Sequence, residues 1–364
     1  MIISTCGFGE TGSSAVTDYL KECDGIQVSD NFEFTLSSTP DGLEDLAHFV
    51  MEKRGRQGIS ICAIQRFEKL IQGRAKGWSV QTGISREEIT LATQDFLDNI
   101  TQVQYIGLSP RINRSESSFV KRYIGDSLIL RRIIRPLEKK GVLKKNIDVY
   151  PMDTVRVSIR PDNFYEEARK FTGRLLKGMG LDGGKIALDQ AFSGPDPAKS
   201  FPFFEDPYAI VVDRDPRDVY LIAKKKALSL DRFMPSADVE TFIAYYRLLR
   251  KGMPYLQDNP RILRIRFEDL VYEYEKTSAQ INQFLSVKNN RRKTIFVPER
   301  SAANTNVAYR YPELADDIAK IERELPEYLF PFENYPGFDH SGEMFMDRSE
   351  NNPIIRAEKK DGEK

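Results

Sequence analysis

The fold is decided at the start of the chain, where an apolar run leads into a glycine-containing loop: Ile2-Ile3-Ser4-Thr5-Cys6-Gly7-Phe8-Gly9-Glu10-Thr11-Gly12-Ser13-Ser14. The run predicts a buried β-strand, and a helix is predicted to begin near Ala15. The glycines at 7 and 12 let the backbone turn tightly, so that several N–H groups point at one anion beside the helix N-terminus. The pattern predicts a phosphate-binding turn; a tight strand-to-helix turn without a ligand is the alternative.

Further apolar runs repeat this order along the chain. Short strands are predicted at 26–28, 155–159, 185–188, 209–212 and 262–266. Helices are predicted at 16–22, 161–179, 216–227 and 239–256. Strands that alternate with helices indicate βαβ units. We therefore predict an α/β fold with a mainly parallel central sheet flanked by helices.

Two segments depart from this alternation. Between about 43 and 145 the apolar residues recur mostly three and four positions apart, which predicts a helical insertion. The insertion would lie within a single α/β domain spanning 1–335. After about Pro336 the chain becomes polar, so residues 336–364 are predicted to form a loosely held C-terminal tail.

Composition and charge restrict the classes of function. The 54 basic side chains balance 54 acidic ones, which argues against a nucleic-acid coat protein and leads us to expect no nucleic-acid partner. Three cysteines are too few for a disulfide framework or a four-ligand zinc site. No apolar run approaches the ~20 residues of a membrane-spanning helix. The loop follows Met1 so closely that we expect no signal peptide. We expect a reduced, cytoplasmic protein without a transmembrane segment.

A second signature reads Ala209-Ile210-Val211-Val212-Asp213-Arg214-Asp215-Pro216-Arg217-Asp218-Val219-Tyr220. It places Arg214 at the end of an apolar strand, and Pro216 suits the first turn of the helix that follows. Arg214 is therefore predicted at the carboxyl edge of the sheet, where open α/β folds bind ligands. The alternative is that Arg214 and Arg217 pair with the neighbouring aspartates.

Together, these blocks resemble the sulfotransferase family that uses 3'-phosphoadenosine 5'-phosphosulfate (PAPS), in its bacterial carbohydrate and small-molecule type. The resemblance rests on the loop 7–14, on 214–219, on Ile265-Arg266-Phe267-Glu268-Asp269-Leu270-Val271 followed by 281–285, and on Pro298-Glu299-Arg300-Ser301. It covers roughly residues 1–335 but leaves the helical insertion unmatched. It implies a P-loop NTPase-like fold and an enzyme that sulfates a hydroxyl or amine of a glycan, glycolipid or small molecule. It also implies 3'-phosphoadenosine 5'-phosphate (PAP) as product and no metal.

Carried over by position, the resemblance implies a donor site. Thr11, Gly12, Ser13 and Ser14 would hold the 5'-phosphosulfate, with Ser13 also counted as catalytic. Gly9 and Glu10 are further cofactor-binding positions of the same loop. Arg214 would hold the 3'-phosphate, for which its planar fork is suited. In many members a serine eight residues later shares that phosphate, but Ile222 stands there in this chain. Lys224, Arg300 or Ser301 would then supply the contact.

Glu10 departs from the family pattern, which usually has lysine or arginine just before the Ser/Thr-Gly pair. That cation stabilises the charge that builds on the leaving group. Three interpretations stay open. Another cation (Lys185, Lys224 or Arg66) reaches the loop, Glu10 turns outward, or the chain is a non-catalytic PAPS- or PAP-binding module. A P-loop small-molecule kinase is a further alternative, weakened because Ser13 stands where its loop lysine belongs.

The acceptor must lose a proton as sulfur arrives, so a base must lie within hydrogen-bond reach. Glu33 follows the second predicted strand, and in several carbohydrate-type sulfotransferases a glutamate in the comparable region is the base. We predict Glu33 as the base and His48 as the second candidate. The alternatives are a solvated loop carboxylate for Glu33 and a partly buried helix residue for His48. Asp189 and Gln190 follow another strand and are predicted to bind the acceptor; a strand-end turn without a ligand is the alternative.

Overall fold

A computed structural model describes residues 1–29, 32–53, 58–107, 136, 153–226, 234–252, 258–289 and 294–344. The chain divides into two compact units. The first comprises Met1–Ser37 with Gly180–Lys364, and the second comprises Ser38–Met179. The second unit is wider than the predicted insertion at 43–145. Among the described residues, no helix is long and apolar enough to span a membrane.

The strands are β1 (Ile2–Gly7), β2 (Ile26–Ser29), β3 (Val103–Gly107), β4 (Asp153–Val157), β5 (Lys185–Asp189), β6 (Pro207–Asp213) and β7 (Ile262–Arg266). The α-helices are α1 (Ser13–Leu20), α2 (Leu43–Ala47), α3 (Gly58–Thr82), α4 (Arg86–Ile100), α5 (Phe164–Gly178), α6 (Pro216–Lys226), α7 (Val239–Arg250), α8 (Phe267–Tyr272), α9 (Tyr274–Leu285), α10 (Pro298–Ser301) and α11 (Ala315–Glu324). A π-helical turn, His48–Glu52, continues α2. Short 3₁₀ segments lie at Pro197–Phe203, Ala302–Asn304, Val307–Arg310, Pro312–Leu314, Pro326–Tyr328 and Phe332–Asn334.

The first unit contains a five-stranded sheet in the order β2-β5-β1-β6-β7, and every neighbouring pair is parallel. The register pairs Thr5 with Asp189, Gly7 with Val212, and Asp213 with Arg266. The carboxyl ends of these strands therefore share one edge of the sheet. The prediction of a mainly parallel sheet flanked by helices is confirmed.

Helix α1 is fixed against this sheet by one apolar face. It buries Val16, Tyr19 and Leu20, which recur at the spacing of a single helix face. They share an apolar core with Ile3 of β1 and Ile265 of β7. Each fully buried aliphatic side chain contributes about 1.5–3 kcal/mol. The loop between β1 and α1 is thus anchored at both of its ends.

The described part of the second unit is helical, with one small antiparallel sheet. Residues 54–57, 108–135 and 137–145 of the predicted insertion lie outside the described residues. Aromatic rings join its helices: Phe96 of α4 stacks on Phe171 of α5 at 5.1 Å between centroids, and Phe67 of α3 contacts both rings. Strand β4 pairs only with β3 among the described strands. The prediction that the strand near 155–159 belongs to the parallel sheet is therefore wrong, because an isolated apolar run does not reveal its partner.

Residues 336–344 differ from the loosely held tail that the sequence predicts. The Phe338 ring contacts Tyr272 edge-on at 4.6 Å, and Nδ1 of His340 lies 3.0 Å from the carbonyl oxygen of Ala302. Met344 is buried in an apolar cluster with residues of α6, α7 and α11. Apolar side chains among polar neighbours hold this segment in place. The rest of the predicted tail, 345–364, lies outside the described residues.

Candidate functional site

The loop between β1 and α1 is bent by residues in the left-handed backbone region. Gly9, Glu10 and Gly12 have φ angles of 87°, 54° and 85°. Thr11 is buried, and its Oγ1 accepts a hydrogen bond from the Phe8 N–H at 3.2 Å. Helix α1 begins directly afterwards, at Ser13. The first N–H groups of a helix lack partners within it, so this turn presents donors and a favourable dipole to an anion.

Close packing explains why glycine is needed at two positions of the loop. A Cβ on Gly7 would lie 2.1 Å from Oγ1 of Thr11. A Cβ on Gly12 would lie 2.9 Å from the ring of Phe267. The loop is therefore pressed against the first residue of α8, and a side chain at either position would displace its neighbours.

Arg214 leaves the end of β6 and contacts this same loop. Its Nη1 donates to the carbonyl oxygen of Glu10 at 3.2 Å, and its Nη2 donates to that of Asn304. The centre of the guanidinium lies 4.7 Å from the ring centroid of Phe267. Phe267 thus packs against both Gly12 and Arg214, and the loop and the guanidinium occupy one site at the carboxyl edge of the sheet.

The guanidinium of Arg214 is suited to an anionic ligand. The residue is only 5% exposed, and its Nε is buried without a hydrogen-bond partner among the described residues. A buried guanidinium N–H that lacks a partner is costly. A phosphate oxygen would satisfy it, since a guanidinium offers five donors in a fixed fork. Phosphate chemistry therefore fits the residues present.

Arg217 behaves as the alternative interpretation of this signature predicts. Its Nε and Nη2 donate to the two carboxylate oxygens of Asp215 at 2.9 and 2.8 Å, and its Nη1 pairs with Glu322 at 2.9 Å. The side chain of Arg214 instead donates to backbone carbonyls. Arg217 therefore supports the scaffold around β6, whereas Arg214 contacts the β1–α1 loop.

Two buried carboxyl groups support this arrangement. Asp218 accepts hydrogen bonds from the N–H groups of Asn306 and Val307, both at 2.9 Å. Glu268 accepts from the N–H of Asp215 at 2.7 Å. Burial raises the pKa of Asp218 and that of Glu268 to about 7 each. Asp218 and Arg214 together hold the segment 304–307 against the end of β6.

Gln190 and Asp189 lie at the end of β5, next to β1. The Nε2 of Gln190 donates to Oγ of Ser13 at 2.8 Å, so Gln190 contacts the loop itself. The carbonyl oxygen of Asp189 accepts from the N–H of Phe34 at 2.9 Å. Residues 32–34 therefore follow the carboxyl edge of the sheet. Glu33 is exposed there, whereas Phe32 and Phe34 are buried.

The remaining predicted site residues have other surroundings. His48 is exposed in the second unit, and its Nδ1 lies 2.8 Å from Oε2 of Glu52. The ammonium of Lys224 donates to the hydroxyl of Tyr220 at 2.6 Å. Ser14 and Arg300 are exposed, and Ser301 is half-buried in the turn before Asn304.

Lys185 cannot be the cation that compensates for Glu10. It begins β5, and its Nζ donates to the carbonyl oxygens of Leu285 and Ser286 at 2.9 and 2.7 Å. Ile2 pairs with Ile186, so Lys185 lies at the amino edge of the sheet. At about 3.3 Å per residue, this edge is roughly 20 Å from the loop. Arg66 belongs to the second unit and pairs with Asp41 at 2.6 Å.

One buried cation near the loop was not predicted. Arg250, at the end of α7, lies 4.3 Å from the ring centroid of Phe8 and pairs with Asp213 through Nε at 3.0 Å and Nη2 at 2.5 Å. The only local signal is an arginine in the last turn of an amphipathic helix, which is typical of an exposed position. Arg250 ties the loop to the end of β6.

In the described part of the chain, no group of three or more histidine, cysteine, aspartate or glutamate side chains is placed to hold a metal ion.

Comparisons with known proteins give distant similarities. No family model and no curated protein matches the chain. The chain is similar to a sulfotransferase domain from the curacin biosynthetic pathway, with a TM-score of 0.26 and 14% identity over 46% of this chain and 52% of that domain. It is also similar to sulfotransferase STF9 from Mycobacterium avium, with a TM-score of 0.33 and 11% identity over 94% of this chain and 78% of that one. The chain thus spans about half the length of the curacin domain. At these TM-scores neither similarity carries an argument about function.

Proposed function

We propose that this chain is a sulfotransferase that transfers a sulfuryl group from PAPS to a hydroxyl or amine of a glycan, glycolipid or small molecule. The observation that carries the proposal is the contact between the Arg214 guanidinium and the backbone of the β1–α1 loop. Two anion-binding elements of different chemistry, a helix N-terminus and a guanidinium fork, share one site. A ligand with two separate phosphate groups uses both.

The proposed donor supplies an activated sulfuryl group when it is bound. The N-terminus of α1 and the hydroxyls of Ser13 and Ser14 would bind the 5'-phosphosulfate. Arg214 would bind the 3'-phosphate through its buried Nε, with Ser301 in the adjoining turn as the candidate second contact. Phe267 keeps the guanidinium oriented by stacking on it.

Glu33 is the proposed base. It is exposed and precedes Phe34, whose N–H donates to the carbonyl oxygen of Asp189 on the sheet edge that carries the loop, so an acceptor can reach its carboxylate. The buried rings of Phe32 and Phe34 fix the backbone on both sides of it. A carboxylate that is held in place but open to solvent can accept a proton from a hydroxyl.

A non-catalytic PAPS- or PAP-binding module is the second candidate, and Glu10 is the observation that favours it. A carboxylate opposes the negative charge that develops at the leaving group, whereas it has less effect on a nucleotide bound mainly through backbone N–H groups and Arg214. The difference between the two candidates is turnover, not binding.

Calorimetry with PAP, adenosine triphosphate and adenosine diphosphate tests the donor. We expect wild-type protein to bind PAP and neither of the other two nucleotides. Arg214→Ala should weaken PAP binding by about 10- to 100-fold, because hydrogen bonds to a charged group contribute about 1.5–3 kcal/mol each. Arg214→Lys keeps the charge but loses the planar fork, so its PAP affinity should lie between those of the wild type and Arg214→Ala.

Arg261→Ala is the matched control for this experiment. Arg261 precedes β7 at the amino edge of the sheet, where it pairs with Asp206 at 3.1 Å. Its removal should leave PAP affinity unchanged. Equal affinity of wild-type and Arg214→Ala protein for PAP would remove Arg214 from the donor site, and binding of adenosine triphosphate alone would favour a kinase.

Turnover is measured with labelled PAPS and a panel of sugars, phenols and sterols. Glu33→Gln should reduce the rate at least 100-fold while PAP affinity changes less than twofold, since positioned general bases typically contribute 10²–10⁴-fold. Glu327→Gln, a change at another exposed glutamate, is the control. An unchanged rate in Glu33→Gln would exclude Glu33 as the base.

A further inference from the structure

We infer that Gln190 is a positioning residue that turns the hydroxyl proton of Ser13 toward the anion bound by the β1–α1 loop. The inference rests on the proposed function and deepens it. It also moves Gln190 from the predicted acceptor side of the site to the donor side.

The backbone of Gln190 is fixed beside the strand that leads into the loop. Its N–H donates to the carbonyl oxygen of Thr5 at 2.9 Å, which extends the pairing of β5 with β1 by one residue. Its φ angle is 52°. The left-handed conformation costs a non-glycine residue about 1–2 kcal/mol. This bend carries the side chain toward α1, whereas a regular strand would continue past it.

Ser13 is held on two sides. Its Oγ accepts a hydrogen bond from Nε2 of Gln190 at 2.8 Å, and its carbonyl oxygen accepts one from Oγ1 of Thr17 at 3.4 Å. Thr17 is anchored in turn, because its Oγ1 lies 2.7 Å from that of Thr5. Ser13 itself is only 8% exposed. Its hydroxyl therefore has one defined position at the first turn of α1.

The direction of the Gln190–Ser13 hydrogen bond decides what the hydroxyl can do. A serine hydroxyl has one proton to donate and two acceptor lone pairs. The amide N–H of Gln190 occupies one lone pair, so the hydroxyl proton points away from Gln190. An anion at the helix N-terminus then receives a donor that is already oriented, which reduces the entropy lost on binding.

A double-mutant cycle measured by calorimetry with PAP tests this role. Gln190→Leu should weaken PAP binding about five- to tenfold, and Ser13→Ala by a similar factor. The double variant should bind no more weakly than Ser13→Ala, because Gln190 acts only through the serine hydroxyl. Gln27→Leu is the control. It makes the same change near the amino edge of the sheet, where Gln27 donates to the carbonyl oxygen of Gly180 at 2.7 Å, and it should leave PAP affinity unchanged.

Gln190→Glu provides a readout that a structural role would not move. A carboxylate at 190 accepts the proton of Ser13 and removes it from the anion, so PAP binding should weaken more than in Gln190→Leu at pH 7.5. The ratio of wild-type to Gln190→Glu affinity should then shrink as the pH is lowered toward 5, where the new carboxyl group begins to be protonated.

Two outcomes overturn the inference: PAP affinity of Gln190→Leu equal to that of the wild type, or effects of Gln190→Leu and Ser13→Ala that add in the double variant. Failure of the donor assignment in the proposed function gives a different result, because wild-type protein then binds no PAP. In that case the same cycle with inorganic pyrophosphate still tests the Gln190–Ser13 pair, and additive effects there refute it. Absence of turnover alone leaves the binding test with PAP unaffected.

Discussion

At the scale of single residues, Glu10 is the residue on which the choice between sulfuryl transfer and binding alone depends. Its φ of 54° is left-handed, and its carbonyl oxygen receives the Arg214 guanidinium. The backbone of Glu10 thus helps to hold a cation, while its carboxylate brings negative charge to a loop suited to anions. These two contributions are separable, because a substitution changes the side chain and leaves the carbonyl oxygen in place.

Glu10→Lys should raise the rate of sulfuryl transfer at least tenfold. A preorganised charge at the leaving group is typically worth 10²–10³-fold, and the loop then carries a cation where it now carries an anion. Initial rates with labelled PAPS measure the effect. Glu10→Gln, which removes the charge without adding a cation, should give a smaller gain. A Glu10→Lys rate equal to that of the wild type, with PAP binding intact, would contradict the expectation.

At the scale of elements, the loop depends on the first residue of α8. Phe267 follows β7 directly, so its ring reaches the sheet edge where β1 and β6 also end. The ring meets Gly12 on one side and Arg214 on another. One aromatic side chain therefore sets the spacing between the two anion-binding elements.

Gly12→Ala should lower the free energy of unfolding by about 2–3 kcal/mol and PAP affinity by at least tenfold. Alanine at φ 85° costs about 1–2 kcal/mol, and its Cβ would also displace the Phe267 ring from 2.9 Å. Urea unfolding and calorimetry with PAP measure the two effects.

Gly25→Ala separates backbone strain from contact with Phe267. Gly25 has φ 77°, but nothing lies within 4 Å of a Cβ built on it. It should lose about 1–2 kcal/mol of stability and keep wild-type PAP affinity. Equal PAP affinities for the two alanine variants would mean that the Phe267 contact does not matter for binding.

At the scale of the whole first unit, buried charges join segments that are distant in the chain. Asp215 accepts hydrogen bonds from Arg217 and from the N–H of Phe330, while its own N–H donates to Glu268. The network links β6, α8 and the C-terminal segment behind the site. A buried carboxyl group in this network has a different pKa in the folded and unfolded states, so the free energy of unfolding depends on pH.

Glu268→Gln should flatten that dependence. Burial raises the pKa of Glu268 to about 7, well above its ordinary 4.5, so the folded state keeps a proton that the unfolded state releases. This contribution to stability is complete below about pH 4.5 and is lost as the pH rises through about 7. The free energy of unfolding of the variant minus that of the wild type should therefore be larger at pH 8 than at pH 4, by on the order of 3 kcal/mol.

Urea unfolding at pH 4, 6 and 8 measures the effect. Glutamine can still accept the N–H of Asp215, so packing is preserved. Glu299→Gln, an exposed position on α10, should follow the wild-type profile at every pH. Parallel profiles for Glu268→Gln and wild type would show that Glu268 does not titrate as its burial requires.

The sequence by itself determined the α/β class, the turn between β1 and α1, and the position of Arg214 at the end of β6. Apolar periodicity, glycine spacing and turn chemistry act between residues close together in the chain, so they can be recognised without the fold. Arg217 and Asp215 are also close together in the chain, so the sequence could offer their pairing as an alternative.

Only the tertiary structure decided that Lys185 lies at the wrong edge, that β4 joins a separate hairpin, and that Gln190 holds Ser13. The contact between Arg250 and the ring of Phe8 was also revealed only by the tertiary structure. Each depends on strand order and on which side chains meet across the sheet. These long-range contacts depend on the packing of the whole unit, so the residues that neighbour each side chain in the sequence do not predict them.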